Sequence, residues 1–269
     1  MISRSKKKTD RQEASWWVRF LKWGWLPTVP NPSPQIRELR TLLQARDNLV
    51  GMTTKLKNMG HGAFTRHGIL IDANAFASVR GRPRLATTAG LPESDQRIVE
   101  VVLQQLENLE QAIATLETQI IEVGKDLPGL RRVLQIPGLS LLGSIGLLAE
   151  LGDMHWFTNA KQVGAYAGLV PTVRQSSETD RRGPITKQGR KRLRTLAIRA
   201  VLVMVRTGSS PLVDFYQLKK RQKGAGRALC ATARKLLSIL FVMLTKELDY
   251  WYLEERLYNK KLRVLQKAA

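Results

Sequence analysis

Two serines, Ser176 and Ser177, stand in a polar stretch that also holds Arg174, Arg181 and Arg182. Pro171 brackets it on one side and Gly183-Pro184 on the other. A serine hydroxyl is a weak nucleophile until a neighbour activates it or stabilises the charge developing on its target. Arginine suits the second task when the target is a phosphodiester, because its planar fork matches phosphate geometry. The same residue types also make ordinary solvated turns, so chemistry alone does not choose between the two serines, or between reaction and turn. The run Lys187-Gln-Gly-Arg-Lys-Arg-Leu-Arg-Thr-Leu-Ala-Ile-Arg199 adds charge beside the loop. As a helix capped by Thr186, it would put Lys187, Arg190, Lys191, Arg194 and Arg199 on one broad face. Leu193, Leu196, Ala197 and Ala200 would be buried on the other. A one-signed face of this kind tracks phosphates, or is simply solvated.

Two further constellations carry weaker chemistry. In Gln135-Ile-Pro-Gly-Leu through Glu150-Leu-Gly-Asp153, the turn at Gly138 lies between two apolar helical segments. This is the pattern of a helix-hairpin-helix, in which glycine lets backbone amides approach a DNA phosphate, and equally that of a plain packing turn. Asp10 and Glu13, at i and i+3, would project from one helix face and could supply part of a Mg²⁺ site. His61, His67 and His155 show no metal-ligand spacing with Cys230.

The composition bounds the setting. The chain has 269 residues, 44 Lys+Arg against 22 Asp+Glu, a net charge of +22 and one cysteine. Ordinary hydrophobic usage of 43% excludes wholesale disorder, and a single cysteine excludes an internal disulfide framework. The charge is unevenly placed: residues 172–235 hold 17 basic and three acidic side chains, and residues 93–130 hold two basic and eight acidic. That pattern fits a polyanion-binding surface with nucleic acid as first candidate. No signal peptide follows the basic N-terminus. The most apolar stretch, residues 139–151, is too short to span a bilayer, so no membrane role is expected.

The elements read as mainly α. Ile98, Val102, Leu106, Leu109, Ile113, Leu116, Ile120 and Val123 form a near-heptad seam, with Ser94 as N-cap and Gly124 and Pro128 as the end. A second helix is predicted from about Pro34 to Asn58. The glycine-rich stretch between them reads as a long turn region with a short helix or none. The pair suggests an antiparallel hairpin or a dimerising coiled coil, or helices packed on their own domain. Helices are expected near 141–151, 159–167, 187–206, 211–222 and 227–257, with Tyr250, Trp251 and Tyr252 as packing residues. Only 69–76 and 166–174 are weak strand candidates. The fold class is thus mainly α: long coiled-coil helices, then a compact helical domain with a helix-hairpin-helix-like start.

Taken together these residues resemble the insertion-sequence one-ten family of transposases. Lys8-Thr-Asp-Arg-Gln-Glu-Ala14 looks like the family's K-T-D-x-x-D-A. Ile36-Arg-Glu-Leu-Arg40 with Leu56-Lys-Asn58 is similar to the helix that follows. Ile136-Pro-Gly-Leu139 through Glu150-Leu-Gly-Asp153 resembles the start of the serine domain. Gly168-Leu-Val-Pro171, Ser176 and Gly183-Pro-Ile-Thr-Lys187 look like its G-L-x-P…S-G…G-x-I-[ST]-K core. Glu13 stands where the family has Asp, and Ser177 where it usually has Gly.

The resemblance implies a RuvC-like domain with four acidic metal ligands, a coiled coil and a C-terminal domain with a catalytic serine. It puts Ser176 at that serine, and Asp10 and Glu13 at the third and fourth acids, binding Mg²⁺ in part. The first two acids would precede residue 1, so the chain reads as an N-terminally truncated member. Expected bounds are 1–33 for the remnant of the metal domain, 34–127 for the coiled coil, 128–210 for the serine domain and 211–269 for the helices completing it. The implied activity is serine-dependent DNA strand exchange, with little of it in the truncated chain alone. DNA would be held by Gly138, Arg174, Arg181, Arg182, Lys187, Arg190, Lys191 and Arg194. A guide RNA is a second polyanion, and the coiled coil would make a homo-oligomer. The implied setting is the cytoplasm of a bacterial or archaeal cell. The alternative is a non-catalytic nucleic-acid-binding or oligomerising remnant. A purely structural coiled-coil adaptor would leave the C-terminal charge unexplained.

Overall fold

The structure, a computed structural model, describes residues 9–25, 31–78, 81–176, 179–208 and 210–267. Between 173 and 182 it describes only the backbone. It is mainly α, with one two-stranded sheet among the described residues. The chain divides into two units, Met1–Pro32 and Ser33–Ala269.

The first unit contains α1 (Asp10–Lys22). The Thr9 hydroxyl accepts from the Gln12 amide, and Asp10 and Glu13 lie in the first turn, where carboxylates favour the helix dipole. Trp16, Trp17, Phe20, Trp23 and Trp25 gather around one another, with Phe20 as the hub, 5.9 to 6.5 Å from the other four rings.

The second unit opens with α2 (Pro34–Thr65), started by the Ser33 hydroxyl on the Ile36 amide, and it pairs with α4 (Glu93–Gly124). The pairing is antiparallel: Gln35 donates to the Val123 carbonyl, Arg46 to Glu117 at 2.6 and 2.9 Å, and Arg66 reaches Asp95. Of the alternatives left by the seam, the chain adopts the intramolecular hairpin. α2 continues past Asn58 to Thr65, and Gly60 within it admits the Phe76 ring: a Cβ there would fall on the ring. The region read as a long turn folds over this point. It carries α3 (Arg82–Ala86), and Phe64, Phe76, Leu85, Leu91, Val99, Val102 and Leu106 form a small tip core. Residues 69–76 form no strand. α4 starts at Glu93 with Pro92 as N-cap, so Ser94 is inside the helix. Between the two cores Leu109, Ile113 and Leu116 are only half-buried, as two helices alone cannot cover a seam.

The main core surrounds α6 (Leu141–Leu151), which is buried almost all round, as its apolarity requires. α5 (Leu130–Leu134), a 3₁₀ turn (Met154–Trp156), α7 (Ala160–Tyr166), α8 (Lys191–Thr207), α9 (Pro211–Lys223) and α10 (Ala225–Thr245) enclose it. By length and composition α10 could cross a membrane. Its apolar residues Leu236, Leu237 and Leu240 are fully buried in this core, which accounts for them. The final helix expected over 227–257 is two helices. Glu247 takes a left-handed φ of 53°, Tyr250 turns inward to meet the Ser210 hydroxyl, and α11 (Glu255–Lys267) begins afresh. Tyr250 is buried and Trp251 exposed, so the aromatic trio does not pack as one. Lys261 anchors α11, donating to the Leu134 and Ile136 carbonyls at 2.7 Å. Burial lowers its pKa to about 8.

The sheet is a hairpin, β1 (Pro171–Ser176) with β2 (Thr179–Ile185), antiparallel, inserted between α7 and α8. The stretch around Ser176 is therefore not a loop. β1 begins inside 166–174, one of the two weak strand candidates, and Ile185 at the end of β2 packs against the main core.

Candidate nucleic-acid interface

The hairpin register sets Arg174 opposite Arg181, Val173 opposite Arg182 and Ser176 opposite Thr179. Ser176 is thus the last paired residue of β1, next to the turn. Ser177 lies outside the described residues. Three of the arginines singled out in the sequence are consequently on the two strands that end at Ser176.

The base of the hairpin is locked by glycines and backbone bonds. Thr186 donates to the Val170 carbonyl at 2.8 Å, Lys187 to Gly168 at 3.2 Å and Arg190 to Tyr166 at 2.8 Å. These three bonds hold the two legs in register below the strands. The legs come so close that a Cβ on Gly168 would sit 2.6 Å from the Gln188 carbonyl oxygen, and one on Gly189 would overlap the Tyr166 carbonyl. Both glycines also have positive φ, 67° and 127°. Thr172 closes the next rung, its hydroxyl donating to the Pro184 carbonyl at 3.1 Å.

Two of the expected phosphate-binding arginines belong to this lock. Arg194 donates from Nη1 to the Ala167 carbonyl at 2.8 Å and to the Lys187 carbonyl at 3.3 Å, one on each leg. Arg190 donates from Nε to the Tyr166 hydroxyl at 3.0 Å and lies 3.4 Å from Glu150. α8 begins only at Lys191, with Arg190 as N-cap and no help from Thr186. Lys187 is off the helix altogether, at a left-handed φ of 55°, so the expected common helical face does not form. The apolar side of α8 does form, burying Leu193, Ala197 and Ala200. Lys187, Lys191 and Arg199 are exposed.

Gly138 is also structural in its surroundings. At φ 77°, its Cα side faces α8, where a Cβ would come within 2.5 Å of the Ala200 carbonyl oxygen. α5, the turn and α6 do make a helix–turn–helix, and glycine serves its close packing on α8.

Glu150 is the residue the sequence reading passed over. It is about 4% exposed, and its carboxylate lies 3.4 Å from Arg190 and 3.6 Å from Arg192. Arg192 continues to α2, donating to Asp47 at 3.0 Å and Gln44 at 3.1 Å. Arg40 of α2 returns to α6 through the Ala149 and Glu150 carbonyls, at 2.8 and 3.1 Å. Burial, then the charge of Arg190, lowers the Arg40 pKa from its ordinary value. The signal was present in the sequence: one carboxylate in an otherwise apolar helix needs a partner.

Asp10 and Glu13 sit in the first turn of α1, Asp10 exposed and Glu13 half-exposed. Among the described residues no group of three or more His, Cys, Asp or Glu side chains gathers as a metal cage. Two carboxylates fit a Mg²⁺ that takes its remaining oxygens from elsewhere, and no more than that.

Residues 130–217, from α5 into α9, match the model of the "Transposase IS116/IS110/IS902 family". The chain is 27% identical over 248 residues to the transposase for insertion sequence element IS1111A of Coxiella burnetii, covering 90% of this chain and 68% of that protein. It is 27% identical over 228 residues to a probable family 20 transposase of Pseudomonas aeruginosa, with 82% and 68% covered. It is 26% identical over 218 residues to the transposase for insertion sequence element IS1328 of Yersinia enterocolitica, with 77% and 63% covered. The chain thus spans about two thirds of the length of these curated relatives. The family resemblance read from the motifs is borne out, and the matched segment contains both the hairpin and its lock.

Proposed function

We propose that this chain, which groups with the IS110-type insertion-sequence transposases, supplies the serine and the phosphate-binding surface for DNA strand exchange. The observation that carries the reading is the hairpin. Ser176 ends a strand whose arginines, Arg174 with Arg181 and Arg182 across the register, follow it on a base pinned by three backbone bonds. A pinned base fixes where a nucleophile stands, and preorganisation of this kind is what lowers a barrier. In the reaction the Ser176 oxygen forms a bond to phosphorus and gives its proton to a base or water, while the bond from phosphorus to one deoxyribose oxygen breaks and that oxygen takes up a proton to leave as a free hydroxyl. A covalent serine–DNA phosphodiester results.

Lys187 and Lys191, exposed at the foot of the hairpin, would extend the phosphate track, and Arg190 and Arg194 would act through the lock. Asp10 and Glu13, in the first unit, would contribute two ligands to a Mg²⁺ ion. A guide RNA is a second polyanion for the same basic block. The half-buried seam at Leu109, Ile113 and Leu116 gives α2 and α4 an apolar strip by which copies could associate. The alternative is a binding or oligomerising role without cleavage.

A suicide DNA substrate separates the two readings. A protein–DNA adduct stable to denaturation is expected, lost in Ser176→Ala and kept in Ser177→Ala. Adduct loss in Ser177→Ala alone moves the role to the neighbouring serine. No adduct alongside tight DNA binding leaves the binding role.

A further inference from the structure

A cleft of about 840 Å³ lies between the foot of the hairpin and the junction of α9 with α10. Lys223, Arg227, Arg234 and Lys235 rim it, and Pro171, Ile185, Phe215 and Cys230 contribute to its apolar floor. None of the residues singled out above for phosphate contact lines it. We propose that this cleft seats a single strand of DNA, the strand that continues from the phosphodiester at Ser176. The inference rests on the strand-exchange reading.

Charge is the first ground. Among the described residues no carboxylate lines the cleft, and none of the four cations makes an ion pair. Arg190 and Arg192, by contrast, share Glu150, and Arg132 meets Glu247. Unpaired like charges around one cleft repel one another, and a polyanion relieves that repulsion. The start of α10 adds to the field. Gly224 at φ 79° caps it with no side-chain bond, and its first turn has no acidic residue. Arg234 is set in place from below, its stem lying 3.3 Å from where a Cβ on Gly164 would be.

The floor decides between forms of nucleic acid. A duplex presents phosphates and groove edges but hides its base faces. An unstacked strand presents flat apolar faces, which aromatic and aliphatic walls take up while cations follow the backbone. Phe215, with the Lys219 ammonium 5.6 Å from its ring centre, combines the two features in one place. Location then selects DNA, since Pro171 and Ile185 are the first and last residues of the hairpin that carries Ser176.

The test uses the full chain and a fluorescent 20-nucleotide single strand read by anisotropy at 0.15 M salt. Arg227→Gln with Arg234→Gln should weaken binding about tenfold or more and flatten the salt slope by about 1.4. A control removing the same charge at the stalk tip, Lys55→Gln with Arg84→Gln, should change affinity less than about twofold. Cys230, the sole cysteine, reports independently of any variant: saturating DNA should slow its maleimide labelling several-fold. Equal weakening in the two double variants, or unslowed labelling of Cys230, overturns the cleft while leaving the strand-exchange reading intact. An RNA strand of the same sequence that alone shields Cys230 overturns the assignment to DNA. A wild-type chain that binds no nucleic acid removes both. If the cleft variant fails to fold, Cys230 labelling in the wild type decides.

Discussion

The buried carboxylate of Glu150 lies 3.6 Å from the guanidinium of Arg192, and through Arg192 it ties α8 to the stalk helix α2. Five residues separate the end of the hairpin from the start of α8, so this contact fixes the helix to which the hairpin is joined.

Removing one partner of a buried ion pair leaves the other uncompensated, at a cost of about 3–5 kcal/mol. Glu150→Ala is therefore expected to lower the melting temperature by several degrees or prevent folding. Arg192→Gln is expected to cost less, because the buried Glu150 carboxylate keeps Arg190 beside it at 3.4 Å. In a double-mutant cycle by thermal or urea unfolding, the two changes should be strongly non-additive. Additive losses would mean that the pair is not the joint.

Gly189→Ala should disrupt the hairpin lock more than Gly208→Ala. Both glycines have positive φ, yet a Cβ at 189 overlaps the Tyr166 carbonyl while one at 208 meets nothing within 4 Å. The cost at 208 is backbone strain alone, about 1 kcal/mol, and at 189 a steric term adds to it. Hydrogen exchange at the Thr186 and Lys187 amides, which close the lock, should rise in Gly189→Ala and stay slow in Gly208→Ala.

At the far end of the stalk, His67 and Arg66 hydrogen-bond Asp95 and hold its carboxyl below the usual carboxylate range. A depressed carboxylate contributes stability at neutral pH that fades as pH falls through the ordinary carboxylate value and on towards the folded one. Amide protection around the start of α4 should therefore drop below about pH 4 in the wild type. In Asp95→Asn it should already be reduced at pH 7 and show less of this acid dependence. An acid profile unchanged by the substitution would put the effect elsewhere.

Duplex DNA binding should weaken steeply with salt, since 17 basic residues stand between positions 172 and 235. The structure refines which of them count. Lys191→Gln should reduce the slope by about 0.9, the contribution of one phosphate contact. Arg194→Gln should act mainly by loosening the hairpin, lowering stability along with affinity. A stable Arg194→Gln chain that loses binding would return Arg194 to the phosphate.

The stalk, α6, α7 and α9 were legible in sequence because seams, caps and glycine stops act locally. The hairpin was legible only in the weak strand candidate at 166–174, since Val173-Arg-Gln-Ser has no alternating apolar face and the lock joins residues 16, 19 and 24 apart in the chain. Arg190 and Arg194 look like solvated cations until the Tyr166 hydroxyl and the Ala167 carbonyl are brought beside them. Glu150 was visible as an oddity, but its partners come from α2 and α8, distances that no local pattern spans. Ser176 was picked out by its motif, and the register places it at the end of β1.

The stalk also has a consequence for how such a chain can diverge. α2 and α4 each run 32 residues, about 48 Å at the helical rise, so the tip core sits far from the hairpin. Phe64, Phe76 and Leu85 pack with each other and with the start of α4, and Arg82 and Asp95 find their partners there too. Insertions or replacements in residues 66–92 therefore alter a detachable head and leave the geometry around Ser176 untouched.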